Sequence, residues 1–233
     1  MIIHKLISQH LKAADDPTFY TFQADDAISW LEKKGVTLGK GVAVLDLGCG
    51  HGIFGGQLKK KGCEVTFSDE QNFLEPSLRN EPFIQFNLET DSFVKLGSYD
   101  LVICSNVLEH LRMPSRLYDG IPQTLNPGGV FYLSWTNWLS PWGGHEFSPF
   151  HFLGAQTGVK LYDLLIGKKR LHTPYQNLFP TFIGKTLRDL TNIPNIQVKA
   201  VEPRYYPELK LIMKLPGIRE FLAWNTAIMM EKN

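Results

Sequence analysis

The stretch Val44-Leu-Asp-Leu-Gly-Cys-Gly-His-Gly52 decides the fold. An apolar run carrying Asp46 breaks into three alternating glycines, Gly48, Gly50 and Gly52, and an amphipathic segment, 53–61, follows. The pattern reads as strand, glycine turn, helix. Glycine permits the tight turn and lets a ligand approach the backbone closely. The helix N-terminus then offers unpaired N–H groups and positive dipole character. A nucleotide-like ligand is expected there.

Working outward, apolar strand patterns fall at 42–47, 64–68, 83–86, 101–104 and 129–135. Helical patterns lie between them at 53–61, 73–79 and 114–125, with a short turn near Phe93. Such alternation argues for an α/β domain on a parallel sheet with right-handed crossovers. Asn126-Pro-Gly-Gly129 punctuates the chain before the fifth strand. Upstream, residues 1–40 read as helical, with a helix at 25–34 stopped by Gly35. Within them, 1–11 has the spacing of an amphipathic surface helix or lid. After the fifth strand the rhythm stops. Residues 137–180 are rich in Trp, Phe, His, Gly and Pro, with one helical patch near 159–166. A helix at 181–190 and strands at 196–201 and 221–230 complete the chain. The expected layout is one domain: a helical lid at 1–40, a ligand-binding core at 41–136, an aromatic insertion at 137–180 and the remainder of the sheet at 181–233.

Composition narrows the function classes. The chain has 233 residues, 43% apolar and 20% charged, and a net charge of +1. That suits a globular domain with a full core. No basic stripe is present, so nucleic acid is not expected as a partner. No apolar run of about 18 residues occurs, so no membrane span is expected. Cys49, Cys63 and Cys104 are odd in number and not closely paired, which suits reduced thiols in a cytoplasmic protein.

Ligands of open α/β sheets bind outside the carboxyl ends of the strands. Asp69, with Glu70 beside it, ends the second strand about 20 positions beyond Gly48, where a carboxylate accepts hydrogen bonds from ribose hydroxyls. Asn87 and Leu88 end the third strand, suited to an adenine edge and ring. Cys104 and Ser105 end the fourth. A nicotinamide dinucleotide is the alternative ligand, because Gly50-x-Gly52-x-x-Gly55 matches the dinucleotide pattern. Against it, the Asp46 carboxylate suits a cationic ligand better than a pyrophosphate, and no second mononucleotide-binding half follows the fourth strand.

Three stretches then resemble, in order and spacing, the motifs of class I S-adenosylmethionine-dependent methyltransferases of small-molecule type. They are 44–52, Ser98-Tyr-Asp-Leu-Val-Ile-Cys-Ser-Asn-Val-Leu-Glu-His-Leu111, and Leu125-Asn-Pro-Gly-Gly-Val-Phe-Tyr-Leu-Ser134. The resemblance covers about residues 40–136. It implies a Rossmann-like, mostly parallel seven-stranded sheet with helices on both faces and the last strand antiparallel. It implies S-adenosylmethionine as cofactor and S-adenosylhomocysteine as product. Gly48, Gly50 and Gly52 would lie under the methionyl part, with Asp46 near its amino group. Asp69 would hold the ribose, and Cys104 and Ser105 would give backbone contacts. Asn87 stands where many members carry an aspartate. Tyr20, ahead of the first strand, would help close a lid. Glu109 and His110 would belong to the element after the fourth strand, mainly in a structural role. A cofactor-binding but catalytically silent partner protein is a second implied class.

The acceptor is expected in the segment after the fifth strand. Three of the five tryptophans, Trp135, Trp138 and Trp142, crowd there with Asn137, His145 and His151. An oxygen acceptor must lose a proton, which makes His145 the candidate general base. Trp135, Asn137, Trp138, Trp142 and His151 are the candidate acceptor contacts. A satellite core is the competing reading of the same aromatics. The spacing of His145, Glu146 and His151 matches no standard metal pattern, so no metal is expected. The acceptor is expected to be a small molecule, and a homodimer is compatible with the charge balance.

Overall fold

The computed structural model describes residues 17–233. The lid expected at 1–11 lies outside the described residues. Helix α1 spans Pro17–Lys33, followed by β1 (Ala43–Leu47), α2 (Ile53–Lys60), β2 (Glu64–Asp69), β3 (Phe83–Gln85), β4 (Tyr99–Ser105), α3 (Pro114–Gly120), β5 (Leu125–Thr136), α4 (Ala155–Leu165), α5 (Ile183–Thr191), β6 (Ile196–Pro203), α6 (Ile218–Leu222) and β7 (Asn225–Lys232). The sheet order is β3-β2-β1-β4-β5-β7-β6. Strand β7 runs antiparallel to both of its neighbours, and the other pairings are parallel. The order reverses between β1 and β4, which places a crevice at the carboxyl ends of those two strands.

Period-two alternation divides the core. Leu45, Val102 and Cys104 enter one apolar cluster, while Val44, Leu101 and Ile103 enter the cluster on the opposite side of the sheet. All six are essentially inaccessible. Strands covered on both faces read as continuous apolar runs, which is why β1 and β4 stand out in the sequence. Each fully buried Leu or Ile contributes about 1.5–3 kcal/mol. The three cysteines are free, and Cys63 and Cys104 are buried.

Some elements differ from the sequence expectation. Only a 3-10 turn, Pro76–Leu78, forms within 73–79. The helix expected at 114–125 ends at Gly120 and gives way to a 3-10 turn at Ile121–Gln123, because Pro122 has no N–H to continue it. Strand β5 starts at Leu125, running through the Pro-Gly-Gly turn with a register shift against β4. The segment 221–230 splits. Its first residues belong to α6, where the Glu220 carboxylate accepts hydrogen bonds from the Ile183 and Gly184 N–H groups at 2.9 and 2.7 Å. Glu220 therefore caps α5, and that charge-assisted cap draws its own segment out of the sheet. No helix among the described residues is long and apolar enough to cross a membrane.

Candidate active site

The glycine turn is fixed by the two carboxylates beside it. Gly50 N–H donates to Asp69 Oδ2 at 2.8 Å, and Gly55 N–H, in the first turn of α2, donates to Asp46 Oδ2 at 2.8 Å. Gly48, Gly50 and Gly52 have φ of 72°, 52° and 76°. A Cβ at Gly48 would stand 2.5 Å from Val107 Cγ2, and one at Gly55 would stand 2.4 Å from the Phe67 ring. A Cβ at Gly50 would meet nothing within 4 Å among the described residues. The loop is packed tightly beneath and open at its middle glycine, which is the shape of a cradle.

The switch-point crevice is a cavity of about 660 Å³. Of the residues expected from the sequence, Gly48, Asp69, Glu70, Asn87 and Leu88 line it. Asn87 Nδ2 donates to Glu70 Oε1 at 2.8 Å, tying the ends of β2 and β3 together. Its wall also includes Asn106, His110, Arg112, Asn177 and Phe179. Asn106 adopts a left-handed conformation, φ 57°, immediately after β4. Its side chain is held by Gln23 at 2.9 Å and Asn225 at 3.0 Å.

Other expected residues sit under the wall or away from it. Gly50 and Gly52 shape the turn but do not line the cavity. Cys104 is inaccessible in the core, and burial raises its thiol pKa further above the ordinary value. Ser105 Oγ pairs with Ser134 Oγ at 3.0 Å. Tyr20 is on α1, packed edge-on against Phe19, and does not line the cavity.

Asp46 is buried, and among the described residues it forms no ion pair. Burial, reinforced by Asp69, pushes its carboxyl up to about 7 despite the bond from Gly55. Between its usual value of 3.8 and about 7, the folded chain holds a proton that the unfolded chain lacks. Raising pH through that window therefore costs stability. Asp46→Asn removes this loss. The expected result is a higher urea midpoint than the parent at pH 8 and little difference at pH 4, in ligand-free protein. Equal shifts at both pH values would remove Asp46 as the cause.

The structure places the tryptophan-rich segment outside the cavity lining. Trp135 is inaccessible in the main core on β5. Asn137 is equally buried and donates from Nδ2 to the Glu220 carbonyl. Trp138 packs with Phe147 in a small satellite cluster, and His151 is bonded through Nε2 to the Ser140 carbonyl at 3.0 Å. Trp142 meets Trp224 edge-on, centroids 4.9 Å apart. None of the five lines the cavity. The apolar rings gain more from covering the β5 end than from facing solvent, and Trp138 does so within the satellite cluster.

His145, the candidate base, does not line the cavity either. Its φ is 50°, and its ring stands 4.4 Å from His172 and 5.4 Å from His110, centroid to centroid. Burial and these two imidazoles push it down to about 3. A group so reluctant to take a proton is a weak general base at neutral pH. Glu109 is buried, and its Oε1 accepts from Thr136 N–H at 2.9 Å. Sequence reasoning missed His172, Asn177, Phe179 and Arg204. They come from segments without a motif, and no spacing announces them.

A family model described as methyltransferase domain matches residues 20–189. An uncharacterized methyltransferase of Mycobacteroides abscessus is 30% identical over 230 residues, covering 91% of this chain and 86% of the relative. Another, of Mycolicibacterium gilvum, is 28% identical, covering 93% and 88%. Among solved structures, an S-adenosylmethionine-dependent methyltransferase from Mesorhizobium loti superposes with a TM-score of 0.58 at 19% identity, covering 90% of this chain and all of that one. Magnesium protoporphyrin IX methyltransferase from Synechocystis, with bound S-adenosylhomocysteine, gives 0.56 at 17% identity, covering 92% and 83%. These likenesses agree with the strand order and with the cradle at the β1 end, and the nicotinamide alternative falls away. The chain belongs to the methyltransferase-domain family, as a class I S-adenosylmethionine-dependent enzyme.

Proposed function

We propose that the chain moves the methyl group of S-adenosylmethionine to an oxygen atom of a small or medium-sized acceptor. The observation that supports a small or medium-sized acceptor is the cavity itself. Its 660 Å³ is within the range of small-molecule sites, about 300–1,000 Å³, and it continues from the glycine turn to a polar end around His110 and Asn177. A folded macromolecule would need an open face instead.

The residues present fit the cofactor. Asp69 and Glu70 would take the ribose hydroxyls, and Asn87 and Leu88 the adenine edge and ring. The cavity-lining backbone at Gly48 and the open backbone at Gly50 would accept the methionyl end, with the Asp46 carboxyl beneath its ammonium. When bound, S-adenosylmethionine supplies a methyl group activated by the sulfonium. The chain's own contribution is alignment and exclusion of water. His110, Arg112 and Asn177 supply hydrogen-bonding groups at the acceptor end, and Phe179 supplies an apolar ring. In the transfer, the acceptor O–H proton leaves to solvent, the oxygen bonds to the methyl carbon, and the carbon–sulfur bond breaks to leave a neutral thioether. The free thiols and the near-neutral charge support a reducing, cytoplasmic compartment.

The test is release of S-adenosylhomocysteine, followed by mass spectrometry, against a panel of phenols, alcohols, carboxylic acids and amines. Methylation of an oxygen is expected. Methylation confined to nitrogen or carbon would overturn the acceptor assignment. Tight cofactor binding with no transfer to any acceptor would favour the silent partner protein.

A further inference from the structure

Three histidines far apart in sequence meet at the edge of the cavity. His110 ends the 3-10 turn after β4, His145 opens a second such turn, and His172 lies in the loop after α4. One ring nitrogen from each can be chosen so that all three lie within 4.8 Å of one another. All three residues are partly buried. His110 also lines the cavity.

The outer nitrogens of two rings are already engaged. His110 Nδ1 lies 2.7 Å from the Asn177 carbonyl, so that nitrogen carries the proton and Nε2 is left as a lone-pair donor. His172 Nδ1 lies 2.9 and 3.0 Å from the two Glu146 oxygens, which leaves its Nε2 as a lone-pair donor too. A carboxylate or carbonyl behind each imidazole is the usual outer support of a metal-binding histidine. The third ring differs: His145 Nδ1 is buried with no hydrogen-bond partner among the described residues. A buried polar atom left unpaired costs about 1–3 kcal/mol, and a cation would satisfy it.

The supports are themselves secured. Glu146 accepts from Leu171 N–H at 3.1 Å, and Phe179 N–H donates to the Glu109 carbonyl at 2.7 Å. The loop carrying His172 is thus stitched to both other turns.

We infer that His110, His145 and His172 form a binding site for one divalent transition-metal ion of the zinc class, at the acceptor end of the cavity. Imidazole suits zinc, copper, iron and nickel better than it suits magnesium or calcium. Three protein ligands leave a coordination position open, as in catalytic rather than structural sites. A tetrahedral ion with bonds of about 2.0–2.1 Å needs nitrogens about 3.3 Å apart, so small ring rotations close the site. That the open position takes the acceptor oxygen rests on the proposed oxygen methylation; metal binding itself does not.

The experiment uses the full chain, stripped with chelator, titrated calorimetrically with Zn²⁺ and checked by the visible spectrum of the Co²⁺ form. S-adenosylhomocysteine affinity and circular dichroism are measured on the same samples. One equivalent of Zn²⁺ with a dissociation constant below about 1 μM is expected. His172→Ala should weaken it at least about 100-fold, and Glu146→Gln, which keeps all three ligands, about 10–100-fold. If His172→Ala misfolds, the Glu146→Gln shift decides. No Zn²⁺ uptake by the parent with S-adenosylhomocysteine binding intact would overturn the metal site and leave the cofactor reading standing. So would unchanged Zn²⁺ affinity in Glu146→Gln.

Discussion

Asp69→Ala is expected to weaken S-adenosylmethionine binding by about 100-fold or more. Two losses combine in that substitution. The carboxylate accepts the Gly50 N–H at 2.8 Å and the Glu70 N–H at 2.7 Å, so its removal frees the middle of the glycine turn. It also lines the cavity where the ribose hydroxyls would be held. Each hydrogen bond to a charged group contributes about 1.5–3 kcal/mol, and about 1.4 kcal/mol is tenfold in affinity. Two ribose bonds therefore account for about 100-fold before any loosening of the loop. Calorimetric titration with S-adenosylhomocysteine measures it. Asp69→Asn keeps an acceptor oxygen and should recover part of the loss. Affinity within about threefold of the parent for Asp69→Ala, with the fold intact, would remove Asp69 from the site.

The cofactor half was legible because its chemistry needs residue types that few other demands produce. Three glycines alternate in 44–52 because the turn needs left-handed backbone at Gly48, Gly50 and Gly52. The β1 and β4 runs are legible because burial on both faces tolerates almost nothing polar. The acceptor half was not legible. Tryptophan density in 135–142 carries two meanings, and burial of Trp135 and Trp138 selects the core. His172 carries no local signal. It gains meaning only when the fold brings it 5.2 Å from His110, ring to ring, across a long separation in sequence. The three-histidine cluster escaped the sequence reading for the same reason. Spacing rules describe ligands on one helix or knuckle, whereas this cluster draws on three segments, and it excludes His151. At the C-terminal end, the strand pattern at 221–230 could not show that Glu220 is engaged elsewhere as a cap.

The largest loss of stability is expected for Arg204→Ala. Arg204 follows β6 and is 2% exposed. Its guanidinium donates to the Gln23 carbonyl at 3.0 Å, to Ser134 Oγ at 3.2 Å and to Asn106 Oδ1 at 3.4 Å. One side chain thus ties α1, the β4 end and β5 to the end of β6. Truncation leaves the Gln23 carbonyl without this donor, at about 1–3 kcal/mol, and empties the volume of the guanidinium and its stem. Relief from burying a charge offsets part of this. A net loss of about 3 kcal/mol is expected, read as a lower urea midpoint at unchanged slope. Arg204→Lys should recover little, because an ammonium on a flexible stem cannot reproduce the planar fork. Because Asn106 lines the cavity, the same substitution should also loosen the β4 end and weaken S-adenosylhomocysteine binding. A stability loss under about 1 kcal/mol for Arg204→Ala would show that the neutral partners and solvent satisfy one another without the guanidinium.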